Sequence, residues 1–215
     1  MGLTEIALEL YNDIDFNDKK FQRLLTICAP TSCAASLFFI IFNPLYWNFG
    51  ARLEYYTKIL STLCFGSKKL AVYVFSLTVF TLGIFRDEIY RAALTDQATS
   101  PYLDNALFKL LGVGFFGYGG VLVLSSMYKL GIVGTYLGDH FGFLFDERIV
   151  DFPFNVCDNP MYDGSTLCFL GTALFYAKPA GLFASALVYT MYQIVLLIEE
   201  PFTAKIYSQR VQKQK

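Results

Sequence analysis

The sequence predicts an all-α integral membrane bundle of three to four spans with a re-entrant segment, and three observations carry that reading. Hydrophobic residues fill 55% of the 215 positions and charged residues only 16%, where a soluble domain carries about 25% charge. Mean hydropathy is positive, at +0.44. The apolar residues gather in runs bounded by lysine, arginine or glutamate, as helices lying in lipid require. The formal net charge of −1 excludes nucleic acid as a partner, because phosphate binding needs a basic face.

Residues 1–23 read as an N-terminal tail. They are acidic ahead of any apolar core, unlike a cleavable signal peptide, and Ile6 stands where a myristoylation signal after Gly2 needs Ser or Thr. The membrane-embedded domain runs from 24 to 207, and 208–215 forms a basic C-terminal tail. The first run, Leu24 to Ala51, is uncharged but interrupted by Pro30, Asn43 and Pro44, so it is a bent span or a re-entrant helix. The second, LAVYVFSLTVFTLGIF between Lys69 and Arg86, is short for a span unless flanking side chains snorkel. The third, LLGVGFFGYGGVLVLSSMY, lies between Lys109 and Lys129, and the fourth, PAGLFASALVYTMYQIVLLI, between Lys178 and Glu199. Just before the fourth, GSTLCFLGTALFYA is uncharged but too short to cross comfortably alone. It reads as a half-helix that dips in and packs on the fourth span.

With four spans, ten Lys and Arg fall with the N-tail, the 86–109 loop and the C-tail, against seven opposite. The positive-inside bias then makes the C-tail cytosolic, whether or not the first run crosses. The five cysteines, Cys28, Cys33, Cys64, Cys157 and Cys168, form no CxxC pair and read as small packing residues in a reducing setting. No metal site is expected.

Three features carry candidate chemistry. GVGFFG, Gly112 to Gly117, matches a dinucleotide pattern, but that pattern needs a strand before it and a helix opening after it. Inside an apolar run, glycines instead let helices approach closely; Gly117, Gly119 and Gly120 also suit a groove for a flat ligand, and both readings stand. In EEPFTAKIY, Pro201 predicts that the last helix ends at Glu200. Two carboxylates at a helix C-terminus are each unfavourable by about 0.3–1 kcal/mol, so they read as a solvated end or as partners for a cation. FPFNVCDNPMYDGST, from Phe152, places many polar groups beside an apolar phase, where they need partners. Within it Asn159-Pro160-Met161-Tyr162 echoes Asn43-Pro44-Leu45-Tyr46, each expected at a helix boundary. Together these features suit a flat, polar, cationic ligand.

The run GYGGVLVLSSMYKLGIVGTYLGDHFGFLFDERIVDFPFNVCDNPMYDGST, followed by EEPFTAKIY and preceded by FNPLYWNFGARLEYY, closely resembles the phospholipid N-methyltransferases that convert phosphatidylethanolamine to phosphatidylcholine. The likeness covers about Phe42 to Tyr207 and is nearest the fungal members that perform the last two methylations. It implies S-adenosylmethionine as methyl donor, a phospholipid acceptor drawn from the bilayer, and an endoplasmic-reticulum location, with mitochondrial membranes as a further one. The family's Gly-x-Gly and Glu-Glu cofactor positions match Gly117-Tyr118-Gly119 and Glu199-Glu200. Asn159-Pro160-x-Tyr162 is similar to the His-Pro-x-Tyr turn that encloses the cofactor in isoprenylcysteine carboxyl methyltransferases, with Asn in place of His. Rival readings are a membrane methyltransferase for such a prenylcysteine carboxylate, or a non-enzymatic lipid-binding protein.

Methyl transfer requires the acceptor amine to lose a proton. The single histidine, His140, reads as structural, because members of that family commonly carry tyrosine there. Asp139, Glu199 and Glu200 are candidate proton acceptors, and none is singled out as the base. Arg148 and Arg52 are candidates for the lipid phosphate. One geometric condition follows: Tyr162 and Glu199 share a site only if the 164–177 segment crosses or re-enters between them.

Overall fold

The computed structural model describes residues 31–213. The expected N-tail 1–23, the break at Pro30 and Cys28 lie outside that range. Every regular element among the described residues is helical: α1 (Thr31–Thr57), short α2 (Ile59–Leu63), α3 (Lys68–Thr95), α4 (Ala106–Thr135), a 3₁₀ turn (Gly138–Phe141), α5 (Pro160–Phe175) and α6 (Pro179–Lys213). Among the described residues four segments are long and apolar enough to cross a membrane: Ser32–Thr57, Lys68–Thr95, Ala106–Phe141 and Pro179–Arg210.

α1 is one continuous helix through Asn43 and Pro44, so Asn43-Pro44 is not the helix boundary that the sequence suggested. Proline removes one backbone donor and crowds the carbonyl four residues back. Packing holds the helix together regardless: Asn43 Nδ2 donates to Leu82 O at 2.9 Å, and Tyr46 Oη donates to Thr78 Oγ1 at 3.1 Å, both across to antiparallel α3. The pair Asn159-Pro160 does mark a boundary, with Pro160 in the first turn of α5, where its missing N–H costs nothing.

α5 has 16 residues, a rise of about 24 Å against a hydrocarbon core of about 30 Å. It packs on α6, as expected of the half-helix, and still more extensively on α4. Glycines set that second contact. A Cβ on Gly112 would stand 2.7 Å from Gly171 O, and one on Gly164 would stand 2.6 Å from Gly119 O. The paired glycines recur seven residues apart on both helices, so the two backbones touch along one antiparallel seam.

α5 therefore carries the chain from one end of the bundle to the other before α6 returns it. At the far end Ser100 N–H donates to Ala177 O and Lys178 Nζ donates to Gln97 O. The 96–105 loop and the C-terminus consequently lie at opposite ends, not together as a path with four passes would have it. The geometric condition on Tyr162 and Glu199 is met.

α6 does not end at Glu200. It continues through Pro201 to Lys213, because neighbours grip the segment that proline weakens. Arg52 donates to Ile198 O at 2.6 Å and lies 4.5 Å over the Phe202 ring. Thr203 donates to Asp139 Oδ2 at 2.9 Å, and Tyr55 to Gln209 Oε1 at 2.8 Å. Glu199 and Glu200 thus sit inside a helix, and the dipole penalty expected of a helix end does not arise.

Candidate active site

Where α1, α5 and α6 meet near the end that holds the C-terminus, side chains converge on Glu199. Tyr162 Oη donates to Glu199 Oε2 at 2.9 Å, and Asn48 Nδ2 donates to the same oxygen at 3.1 Å. Among the described residues Glu199 Oε1 has no protein donor. Next to it, Asn159 caps no backbone amide; its Nδ2 donates to Glu200 Oε1 at 3.1 Å. Asn48 is buried and its Oδ1 has no partner, an acceptor left open beside an acidic group. Trp47, Tyr162 and Tyr192 form an aromatic corner below the carboxylate. Their ring centroids lie 6.4 Å (Trp47–Tyr162), 6.4 Å (Trp47–Tyr192) and 4.8 Å (Tyr162–Tyr192) apart.

Glu199, Asn159 and the three rings border a cavity of about 370 Å³ that reaches from Asn159, Pro160, Tyr162 and Glu199 down to Arg86 and Asp87, whereas Asn48 and Glu200 do not line it. A second cavity of about 560 Å³ continues between α3, α4 and α5, lined by Asp87, Glu88, Gly112, Phe116, Gly117 and Phe175 among others. α3 and α4 barely touch, so both cavities form one cleft between them whose floor is α5.

The expected site residues divide. Asn159, Pro160, Tyr162, Glu199 and Glu200 come together. Gly119 is spent on the seam with Gly164, Gly117 lines the second cavity away from Glu199, and Tyr118 lines neither and is exposed. Arg52 grips α6, and Arg148 is a surface residue paired with Asp158 at 3.3 Å. His140 is buried, with Nδ1 2.9 Å from Asp139 Oδ1 and its ring stacked on Phe202 at 5.0 Å. Neither Asp139 nor His140 lines the cleft, so their role is to hold the 3₁₀ turn against α6. Burial pushes the Cys157 thiol up, with Asp163 and Asp158 adding to the shift, which suits an inert cysteine. Sequence reasoning missed Trp47, Asn48, Asp87 and Tyr192. Two of these sit in FNPLYWNFG, where Asn48, four residues past Pro44, carried the only signal.

The fold and site define a multi-pass helical membrane protein with an acidic, aromatic-walled site opening sideways between helices. The phospholipid methyltransferase family model matches residues 107–210. The chain is 50% identical over 214 residues to the phosphatidyl-N-methylethanolamine N-methyltransferase of Saccharomyces cerevisiae, covering 100% of this chain and 98% of that one. It is 55% identical over 182 residues to the protein of that name from Schizosaccharomyces pombe, covering 85% and 91%. It is 47% identical over 190 residues to human phosphatidylethanolamine N-methyltransferase, covering 87% and 95%. This chain belongs to the phospholipid methyltransferase family. No solved structure matches it.

Proposed function

We infer that this protein is an S-adenosylmethionine-dependent methyltransferase that converts phosphatidyl-N-methylethanolamine and phosphatidyl-N,N-dimethylethanolamine to phosphatidylcholine. The observation that carries the site assignment is the convergence of Tyr162, Asn48 and Asn159 on Glu199 and Glu200 at the top of a cleft between membrane helices.

The residues present fit the cofactor. A cavity of about 370 Å³ is of ligand size. Glu199 lines that cavity and its Oε1 has no protein donor among the described residues, which suits the ammonium or another N–H of the cofactor. The rings of Trp47, Tyr162 and Tyr192 suit a sulfonium, by contacts worth about 0.5–2 kcal/mol. S-adenosylmethionine supplies an electrophilic methyl. Asn159, Pro160 and Tyr162 would enclose it; the chain's own task is to orient two substrates, one from water and one from lipid.

Orientation follows from the distribution of positive charge. Among the described residues other than buried Arg86 and terminal Lys213, Arg52, Lys58, Lys68, Lys69, Lys129, Arg148, Lys205 and Arg210 stand towards the site end, against Arg91, Lys109 and Lys178 at the far end. Eight against three supports a cytosolic site and C-terminus. The resemblance to the phospholipid N-methyltransferases implies an endoplasmic-reticulum location.

The test is methyl transfer from labelled S-adenosylmethionine in membranes from a methyltransferase-free host, with phosphatidylethanolamine and its monomethyl and dimethyl forms offered separately. Label in the monomethyl and dimethyl lipids is expected, and label in the unmethylated lipid widens the activity to all three steps. Absence of label in every lipid, from protein shown to be inserted, overturns the reading.

A further inference from the structure

Arg86 is buried within the bundle, where an unpaired cation is costly. Its partners are specific. Arg86 Nη1 donates to Tyr192 Oη at 2.7 Å, and its guanidinium lies 4.9 Å over the Phe169 ring. Nε and Nη2 both reach Asp87 Oδ1, at 2.9 and 2.8 Å. The arginine thus grasps one carboxylate oxygen with two nitrogens and leaves Oδ2 without a protein donor among the described residues. Side-chain exposure is 9% for Arg86 and 57% for Asp87: the cation is inside and the anion faces the cleft. Asp87 is also the one residue that lines both cavities. A buried arginine that fixes an outward carboxylate at a junction does more than neutralise charge, because a buried pair needs no open oxygen.

We propose that Asp87 Oδ2 receives the headgroup ammonium of the lipid acceptor and takes its proton, with Arg86 positioning the carboxylate. This rests on the methyltransferase reading above and names a proton acceptor for it. Tyr192, which touches Arg86, is seven residues from Glu199 on α6, about 10 Å along the helix axis. The upper cavity therefore separates the Glu199 end from Asp87 by the length of a ligand, and the second cavity gives a lipid a way in between α3 and α4. In the step, the ammonium N–H proton passes to Asp87 Oδ2. The freed nitrogen lone pair forms the new N–C bond as the methyl–sulfur bond breaks, leaving a neutral thioether and a methylated ammonium. Asp87 then returns its proton to water. Apolar surroundings favour the neutral amine and acid over the separated charges, and the cleft wall at this point is Phe116 and Phe169. Arg86 on its own helix pairs with Asp87, and Cys168 on α5 lies near it, while Tyr192 on α6 touches Arg86. Glu88, Tyr90 and Arg91 of α3 and Tyr176 line the second cavity with Asp87, and Glu88 and Arg91 are paired with each other at 2.7 Å. Both acceptors carry an N–H for Oδ2, and phosphatidylcholine carries none. The product therefore loses the bond that held the substrate.

The test compares wild type, Asp87→Asn and Asp87→Glu in membranes from the methyltransferase-free host. Binding of labelled S-adenosylmethionine is measured alongside transfer to the monomethyl lipid. The expected result for Asp87→Asn is a loss of at least about 100-fold in kcat/KM for the lipid, with S-adenosylmethionine binding within about twofold of wild type and lipid transfer rising about tenfold per pH unit as solvent removes the proton instead. Asp87→Glu keeps the charge and the arginine's partner, and is expected to fall between the two. Unchanged lipid kcat/KM and pH profile in both variants would overturn the proposal, as would loss of S-adenosylmethionine binding in Asp87→Glu that is inserted normally. No transfer by wild type would overturn the methyltransferase reading with it, whereas active wild type with indifferent variants removes Asp87 alone.

Discussion

Tyr162 donates its phenolic hydrogen to Glu199 Oε2 at 2.9 Å, joining the first turn of α5 to a carboxylate 37 residues later. The bond exists because α5 and α6 form an antiparallel hairpin, which returns the chain to the end it left. When a cation pairs with Glu199 the carboxylate is charged, and a hydrogen bond to a charged acceptor is worth about 1.5–3 kcal/mol.

Removing that hydroxyl should therefore be visible. Tyr162→Phe is expected to weaken S-adenosylmethionine binding by roughly 10- to 100-fold while the protein still inserts. Glu199→Gln, which also removes the charge, should abolish measurable binding. Labelled-cofactor binding to membranes checks both. If Tyr162→Phe binds as wild type does, the hydroxyl is structural and the turn does not enclose the cofactor.

The glycines of α4 make a contrasting pair. Gly119 has Gly164 O against it, whereas a Cβ on Gly117 meets nothing within 4 Å. Gly119→Ala must push α4 and α5 apart and is expected to cost about 1–3 kcal/mol, read as a lowered thermal unfolding midpoint in detergent. Gly117→Ala should leave that midpoint unchanged. A reduced affinity for S-adenosylmethionine in Gly117→Ala would place the cofactor lower in the cleft than Glu199 alone suggests.

Arg52 was a candidate for the lipid phosphate, and its position yields an opposite expectation. The guanidinium supports Ile198 O beside Pro201, where the helix lacks a backbone donor, and stacks on Phe202. Arg52→Ala should lower stability, by about 1–3 kcal/mol, and reduce activity through Glu199 and Glu200, with kcat falling for every acceptor. A selective rise in KM for the lipid, at unchanged stability, would instead assign Arg52 to the phosphate.

How far the sequence was legible depends on the range of the forces involved. The four spans were visible because each is a local property of a run of apolar residues. The Asn159-Pro160 start of α5 was visible because Pro at the first turn is favoured by its own backbone geometry. The helix end at Pro201 was misread, since the groups that carry α6 past it, Arg52 and Asp139, come from α1 and the 3₁₀ turn. Local propensity loses there to tertiary contact. Glu199 and Glu200 were legible as an anomaly, two charges beside an apolar run. Asn48 and Asp87 were not, because Asn48 acquires meaning only through its bond to Glu199, and Asp87, flanked by Arg86 and Glu88, only through the cavities it lines.

Topology gives the last prediction. α5 carries the chain across the bundle, so Arg148 and Ser208 lie towards one end and Tyr102 at the other. A path of four passes would put Tyr102 with Ser208 and oppose both to Arg148. Single cysteines at these positions, in a background where the native cysteines are replaced, can be treated with a membrane-impermeant thiol reagent in sealed microsomes. Cysteine at 148 and at 208 should label from the cytosolic side, and cysteine at 102 only after the membrane is opened. Labelling of 102 together with 208, with 148 protected, would mean that α5 does not traverse. Tyr162 and Glu199 would then be separated by the membrane and could not form the bond on which the site depends.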